Sequence, residues 1–228
     1  MKSIPDLFKE MWEVFKGNWK SFLVIGILSL IVMILVTTIL GSLIGAELLM
    51  SMTKIKNVQA LSLFITQHKV VLLQFLILLF MLFLVETFFV GAIYYQIKDK
   101  EKSYFSALSN AYHNFWRLLG AAFLQSLIVC LGIIFFIIPG IYLGVLLAFV
   151  LPIAVFEDKG AALSLMSSIS LLKNHWWATL FRLLAFGCLY FLVSLGLNAL
   201  MLRGLSYFIG LVFQPIYTFC LYKNLKEI

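Results

Sequence analysis

The sequence predicts an all-helical protein embedded in a lipid bilayer, and three observations lead to that prediction. Apolar residues make up 63% of the 228-residue chain and charged residues only 12%, whereas soluble domains average about 45–50% apolar and 25% charged. The apolar residues fall in several runs of about 18 or more, and roughly 20 helical residues cross a bilayer core. These runs do not alternate as barrel strands do, and a helix pairs all of its backbone groups internally.

Six crossing helices are predicted, each where polar or turn-forming residues bound an apolar run. Pro139-Gly140 is predicted to form a tight hairpin between the third and fourth helices, because proline cannot continue the helix ladder and glycine accepts turn geometry. Pro152 and Pro215 are predicted to kink the fourth and sixth helices. The predicted crossings are residues 22–40, 70–97, 117–137, 141–156, 176–200 and 204–222.

Helices with one apolar face are predicted before the first, third and fifth crossings, over residues 3–20, 103–116 and 157–173. Such a face is typical of a helix that lies in the membrane interface, although a short helix that packs on its neighbours would show the same stripe. In the third helix Ser164 and Ser168 are predicted on the polar face, and Glu157-Asp158 is predicted to cap the helix start. The predicted apolar faces are Ile4, Leu7, Phe8, Met11, Phe15 and Trp19, then Phe105, Leu108, Tyr112 and Phe115, and then Leu165, Ile169, Leu172 and Trp176.

An internal repeat is predicted from the ends of these three helices. Setting Asn18, Asn114 and His175 equivalent aligns the three helices and places an aromatic residue directly after each anchor. This similarity predicts one structural unit that occurs three times, each consisting of an interfacial helix followed by two crossings. The units lie at about residues 1–100, 101–158 and 159–228 of a single membrane domain. Because each unit returns the chain to the same side, the units are predicted to be parallel repeats around an axis along the membrane normal.

The orientation is predicted from the placement of the positive charges. Most lysine and arginine residues fall on the side that holds both termini, whereas the loop 41–69 and the link at Arg203 carry only four. Cytoplasmic loops are enriched in these residues, so both termini are predicted to be cytoplasmic in a multi-pass protein of the cytoplasmic membrane.

A resemblance to one bacterial family rests on these residues: Ile138-Pro139-Gly140-Ile141-Tyr142-Leu143, Pro152, Glu157, Ser168-x-x-Leu171-x-Lys173 and Trp177. The segment resembles the membrane domain of glycerophosphoryl diester phosphodiesterases and the related YciC-like small integral membrane proteins. The resemblance covers mainly residues 136–185 and implies a multi-helix domain of the cytoplasmic membrane. The catalytic barrel of some members has no counterpart here, so no phosphodiesterase activity is implied. A basic residue often follows the Pro-Gly segment in that family, and Gly144-Val145-Leu146 stands here instead.

Two ionisable residues inside the predicted crossings form the first candidate site. Glu86 lies within the second crossing, where an ionised carboxylate needs a partner or water. Arg182 lies on the same half of the fifth crossing and is its predicted partner. Three interpretations stay open: a structural latch between two helices, a proton or substrate site in a polar cavity, or a Glu86 side chain that is protonated or snorkels to the interface.

The second candidate site is a set of aromatic and basic residues at the cytoplasmic ends of the crossings, predicted to contact anionic lipid headgroups. Its members are Lys16, Trp19, Lys20, Trp116, Arg117, Lys173, Trp176 and Trp177. No catalytic residues, metal ligands or cofactors are predicted, since nucleophile triads, phosphate loops and ligand spacings such as HExxH are missing from the sequence. Nucleic acid is not an expected partner, because no solvated segment is long enough for a basic face.

The function expected from these features is that of a non-enzymatic membrane protein that interacts with lipid or helps to maintain the envelope. Two alternatives stay open: a small transporter or export component that uses Glu86 and Arg182, and an accessory subunit with a membrane-protein partner.

Overall fold

A computed structural model describes residues 2–41, 69–99 and 103–227, which are helical apart from short connections and contain no β-strand. The rest of the chain, including most of the predicted loop 41–69 with Glu47, Lys54, Lys56 and His68, lies outside the described residues. The helices within them are α1 (Ile4–Gly17), α2 (Trp19–Gly41), α3 (Lys69–Lys98), α4 (Tyr104–His113), α5 (Phe115–Phe135), α6 (Ile137–Leu146), α7 (Val150–Phe156), α8 (Ala161–Leu172), α9 (Trp176–Ala199) and α10 (Arg203–Lys226).

Within the described residues, six helical stretches are long and apolar enough to cross a membrane, with mean hydropathies from 1.4 to 2.9. Their number agrees with the sequence prediction, and α6 and α7 together form the fourth. The prediction of a polytopic all-helical membrane protein is thus confirmed at the level of helix length and composition. The stretches are Trp19–Ile39, Lys69–Lys98, Phe115–Phe135, Ile137–Phe156, Trp176–Ala199 and Gly204–Lys226.

The chain divides into two compact units, Met1–Ile27 with Thr87–Ile228, and Leu28–Glu86. The division passes through α2 and α3. The smaller unit holds the C-terminal part of α2 and the N-terminal part of α3. There the Thr37 hydroxyl donates to the carbonyl of Met33 at 2.7 Å, which satisfies a polar group inside an apolar helix. The larger unit holds all residues of the two candidate sites predicted from the sequence except Glu86, which lies in the smaller unit.

The turn between α5 and α6 lies at Phe136, so the prediction that Pro139-Gly140 forms this turn is wrong. Phe136 is extended, with φ −159° and ψ 136°. Pro139 falls in the first turn of α6, where a helix needs no N–H donor. Gly140 instead allows a close approach, because a Cβ there would lie 2.7 Å from the backbone nitrogen of Ile133.

The fourth crossing is broken between α6 and α7, at residues 147–149. The break precedes Pro152, which lies in the first turn of α7. The buried hydroxyl of Ser168 donates to the carbonyl of Leu146 at 2.7 Å and accepts from the N–H of Phe149 at 3.3 Å. One side chain thereby pairs two backbone groups that the interrupted helix leaves without helical partners. Pro215, by contrast, lies inside the continuous helix α10.

α1 begins with a capping box formed by Ser3 and Asp6, and it packs on α10. The ring of Phe8 lies 5.3 Å from that of Tyr217, and the ring of Phe15 lies 4.9 Å from that of Phe213. Part of the predicted apolar face therefore packs on protein, as in the alternative interpretation of this helix.

The inward faces of α4 and α8 differ from the predicted ones. In α4 the small residues Ala107 and Ala111 are buried. In α8 Leu165 and Leu172 of the predicted apolar face are buried, but Ser164 and Ser168 are buried beside them, so the predicted place of the serines on an outward polar face is wrong. The Ser168 hydroxyl turns inward and donates to the carbonyl of Leu146 in another helix, whereas the Ser164 hydroxyl donates to the carbonyl of Gly160 one turn earlier in its own segment.

Candidate functional site

Three joints in the described part of the chain connect a short helix to a long apolar helix. They lie at the three residues that the predicted internal repeat sets equivalent. Asn18 separates α1 from α2, Asn114 separates α4 from α5, and His175 directly precedes α9. Their backbone angles are similar: φ and ψ are −137° and 33°, −101° and 12°, and −124° and 19°. This bridge region is sparsely occupied and suits a sharp change of direction.

The residue four positions after each joint turns into the protein interior. The carbonyl of Asn18 accepts the N–H of Phe22, and the same bond links the other two anchors to Leu118 and Thr179. All three of these residues are at most 1% exposed. The first turn of each crossing helix therefore has the same inward register.

Large apolar side chains near the joints point outward. On α4 and the start of α5, Phe105 and Tyr112 are each 74% exposed and Trp116 is 80% exposed. Trp19 and Trp177 are also exposed in the first turns of their helices. Exposed apolar stripes of this size indicate a surface that contacts something other than water.

Three of the predicted headgroup lysines are exposed at the joints, namely Lys16, Lys20 and Lys173. The Lys16 ammonium lies 5.6 Å from the ring centre of Trp12, and that of Lys20 lies 5.8 Å from the ring centre of Trp19. A cation over an indole face is stabilised there and stays accessible to an anion. Trp12 was not among the predicted headgroup residues.

Two other predicted headgroup residues have partners inside the protein. Arg117 donates to the hydroxyl of Tyr95 at 2.8 Å and to Asp158 at 3.1 Å. Trp176 donates its indole N–H to the carbonyl of Tyr142 at 3.2 Å, and their rings lie 5.3 Å apart. These contacts give both residues a packing role.

Glu157 and Asp158 form a charged cluster, here called the acidic node, that draws side chains from α3, α5 and α10. Glu157 accepts from the Tyr222 hydroxyl at 2.6 Å, from Lys226 at 2.8 Å and from Lys159 at 2.6 Å. Asp158 accepts from Lys98 at 2.6 Å and from Arg117 at 3.1 Å. Lys98 also donates to the carbonyl at the end of α7.

The acidic node does not cap α8, so that part of the sequence prediction is wrong. The N-cap position of α8 is Gly160, which makes no side-chain cap. Asp158 has a positive φ of 52°, a left-handed conformation that aspartate tolerates better than most residues. The two adjacent carboxylates therefore reach different partners rather than the helix start.

The hydrogen bonds of the node lower the pKa of both carboxyl groups. Burial raises the pKa of Glu157, but the hydrogen bonds from Lys159, Lys226 and Tyr222 outweigh it and lower that pKa to about 2. The hydrogen bond from Lys98 lowers the pKa of Asp158, burial opposes it, and the bond from Arg117 adds to the lowering. Both groups are thus held ionised, which suits an ionic clasp and does not suit a proton donor at neutral pH.

The predicted partners Glu86 and Arg182 belong to different units of the chain. Glu86 is exposed in α3. Arg182 donates to the backbone carbonyls of Lys2 at 3.0 Å and Ala178 at 3.0 Å, so it holds the N-terminal segment against α9. The Glu86–Arg182 pair, and the transport role predicted with it, stay predictions.

No group of three His, Cys, Asp or Glu side chains that could hold a metal ion is present in residues 2–41, 69–99 and 103–227. Of the three cysteines, Cys130 and Cys188 are exposed and Cys220 is buried. The polar residues that sequence reasoning missed are Tyr95, Lys98, Tyr222 and Lys226 of the node, and Ser168 at the helix break. The adjacent acids at 157 and 158 were a visible signal, but their partners lie up to 69 positions away.

Comparisons of this chain with protein-family models, with curated proteins and with solved structures find no match. The resemblance to the membrane domain of glycerophosphoryl diester phosphodiesterases therefore stays an expectation carried by its own motif residues.

Proposed function

We propose that the chain is a non-enzymatic, multi-pass protein of a bacterial cytoplasmic membrane and that its helix joints contact lipid headgroups. The observation that carries this proposal is the outward aromatic stripe of Phe105, Tyr112 and Trp116, directly before a helix that is apolar enough to cross a membrane. Aromatic side chains at the ends of crossing helices are typical of the interface between lipid and water.

A threefold arrangement of parallel repeats is part of the proposal, with units at about residues 1–100, 101–158 and 159–228. It is supported by the similar backbone angles at Asn18, Asn114 and His175, and by the burial of the residue four positions after each. In this arrangement α1, α4 and α8 are interfacial helices on one side of the membrane. We call them, with the three joints, the collar.

The collar is proposed to lie on the cytoplasmic side and to attract anionic lipids. Its exposed lysines Lys16, Lys20 and Lys173 stand beside exposed tryptophans. Each lysine near an anionic surface contributes about 1 kcal/mol to its attraction. Both termini would then be cytoplasmic, as the charge distribution predicts.

The test measures how much anionic phospholipid the purified full chain retains from mixed micelles, by native mass spectrometry. Lys16, Lys20 and Lys173 are replaced together with glutamine, which is expected to reduce retention at least tenfold because three attractive charges are lost. Arg117 stays unchanged, since its removal would also disturb the acidic node.

A matched control removes the same number of charges from the side predicted to be opposite, by replacing Lys54, Lys56 and Lys69 with glutamine. This variant is expected to retain anionic lipid nearly as well as the wild type. Equal retention by the collar variant and the wild type would contradict the proposal.

A further inference from the structure

A small cavity opens at the first joint, on the larger unit of the chain. Its volume is about 130 Å³, and its lining combines a carboxylate and an amide with apolar side chains and a glycine. The lining residues are Glu13, Val14, Gly17, Asn18, Phe22 and Ile97. A space of this size would hold about four water molecules.

The cavity has a negative character although the chain as a whole is basic. Glu13 is exposed and makes no hydrogen bond or ion pair in the described part of the chain, while the chain carries a net charge of +7. The cavity also adjoins the C-terminal ends of α1 and α3, where helix dipoles place partial negative charge, and the start of α2, where the partial charge is positive. Glu13 is therefore the main source of negative charge, and it favours a small cation.

The cavity lies at the depth where two crossing helices end. Phe22 is in the first turn of α2 and Ile97 is in the last turn of α3. The charged groups of lipid headgroups occupy this depth at the edge of the hydrocarbon core. Lys16 follows Glu13 by about one turn of α1, and Lys20 lies just past the joint at Asn18, so positive charge for a phosphate is available on the same segment.

We propose that this cavity binds a primary ammonium group, and that the ammonium belongs to the headgroup of phosphatidylethanolamine. The inference rests on the proposed function, because it requires the joint to lie at the membrane surface. An ethylammonium group has three non-hydrogen atoms and donates charge-assisted hydrogen bonds to a carboxylate. The trimethylammonium of phosphatidylcholine carries three more carbons and has no N–H to donate.

The test compares two lipids that differ only in this group. The purified full chain is equilibrated with micelles holding equal amounts of phosphatidylethanolamine and phosphatidylcholine, and native mass spectrometry measures the ratio retained. The wild type is expected to enrich phosphatidylethanolamine about tenfold, the factor that one charge-assisted hydrogen bond supplies.

Two variants remove the site in different ways. Glu13→Gln removes the negative charge and should abolish the enrichment. Gly17→Leu should abolish it by filling the cavity, since a Cβ at Gly17 meets no protein atom within 4 Å. The control Glu227→Gln changes an exposed glutamate that pairs with Lys223 at 3.9 Å, and it should keep the enrichment.

Competition with free ethanolamine identifies the source of the ammonium. If phosphatidylethanolamine stays bound at millimolar ethanolamine, the lipid is the ligand; displacement would assign the same site to a soluble amine. Equal retention of both lipids by the wild type, or enrichment that survives both variants, overturns the proposal. The proposal that the collar binds anionic lipid is tested separately with the lysine variant. A failure of the phosphatidylethanolamine test therefore does not decide the anionic-lipid proposal.

Discussion

Two acidic regions of the larger unit behave in opposite ways. At the acidic node, Glu157 has hydrogen-bond partners on both carboxylate oxygens, and Asp158 beside it binds two further cations. At the first joint, Glu13 has no partner in the described part of the chain, although exposed lysines lie nearby in sequence. The carboxylate of Glu157 thus links helices, whereas that of Glu13 is not paired with another charged group in the described part of the chain.

The difference indicates which site maintains the fold and which can bind a ligand. A carboxylate that already accepts three short hydrogen bonds gains little from a new partner, and its removal leaves donors without acceptors. A carboxylate without a partner contributes little to folding but can pair with an incoming cation. The comparison therefore predicts that the acidic node governs stability and that the joint governs lipid selectivity.

The largest loss of stability is expected from Glu157→Gln. The side chain of Glu157 is only 19% exposed and joins α7 to α10 through Tyr222 and Lys226. Loss of its charge should lower the free energy of unfolding by about 1.5–3 kcal/mol. Melting of the purified protein in detergent, followed by circular dichroism, measures the effect.

Glu227→Gln serves as the control for this prediction, because its carboxylate is 55% exposed and its single ion pair to Lys223 is 3.9 Å long. Its free energy of unfolding should stay within about 0.5 kcal/mol of that of the wild type. If both variants melt alike, the acidic node is not a clasp and the comparison fails.

The next largest loss of stability is expected at the break between α6 and α7, where the neutral hydroxyl of Ser168 pairs two backbone groups. Ser168→Ala removes the donor to the Leu146 carbonyl and the acceptor of the Phe149 N–H. Because both backbone groups are buried, the loss should be about 1–2 kcal/mol. Ser170→Ala, at an exposed position of the same helix, should change the melting temperature little; equal losses would show that the break needs no side-chain partner.

A third prediction concerns acid. Because the folded pKa of Glu157 is about 2 and its ordinary value is 4.5, its contribution is fully present above about pH 5 and is lost as the pH falls toward 2. With solvent screening taken into account, the loss between pH 6 and pH 3 should be about 1 kcal/mol. Asp158 shifts in the same direction. Glu157→Gln should flatten the pH profile of the melting temperature; an unchanged profile would mean that other carboxylates set it.

The helical membrane class and the joints follow from local sequence, whereas the acidic node does not. Crossing helices are long apolar runs, and the anchors Asn18, Asn114 and His175 repeat in similar surroundings, so both are visible in one stretch of sequence. Two of the three partners of Glu157 lie 65 and 69 positions away on α10. Only the packing of separate helices brings them together, and no spacing rule contains that information.

The predictions for Ser168 and Pro139 are wrong for a related physical reason. The sequence predicts Ser168 on a polar outer face because a hydroxyl prefers water in the absence of a partner. The apolar run between Gly140 and Pro152 carries no sign of the helix break that supplies its buried partners. The sequence predicts Pro139 in the turn, but a helix accepts proline in its first turn, and the turn lies at Phe136.

The smallest effect on stability is expected from Glu13→Gln, which makes the same chemical change as Glu157→Gln. Glu13 makes no hydrogen bond or ion pair in the described part of the chain, so nothing in the folded state is lost with its charge. Its free energy of unfolding, followed by melting in detergent, should stay within about 0.5 kcal/mol of that of the wild type, as for other exposed substitutions. A loss near that of Glu157→Gln would contradict the comparison, because Glu13 would then act in folding and its charge would not be available to a ligand. If Glu13→Gln keeps the melting temperature but loses the enrichment of phosphatidylethanolamine, then Glu13 serves lipid binding and Glu157 serves stability.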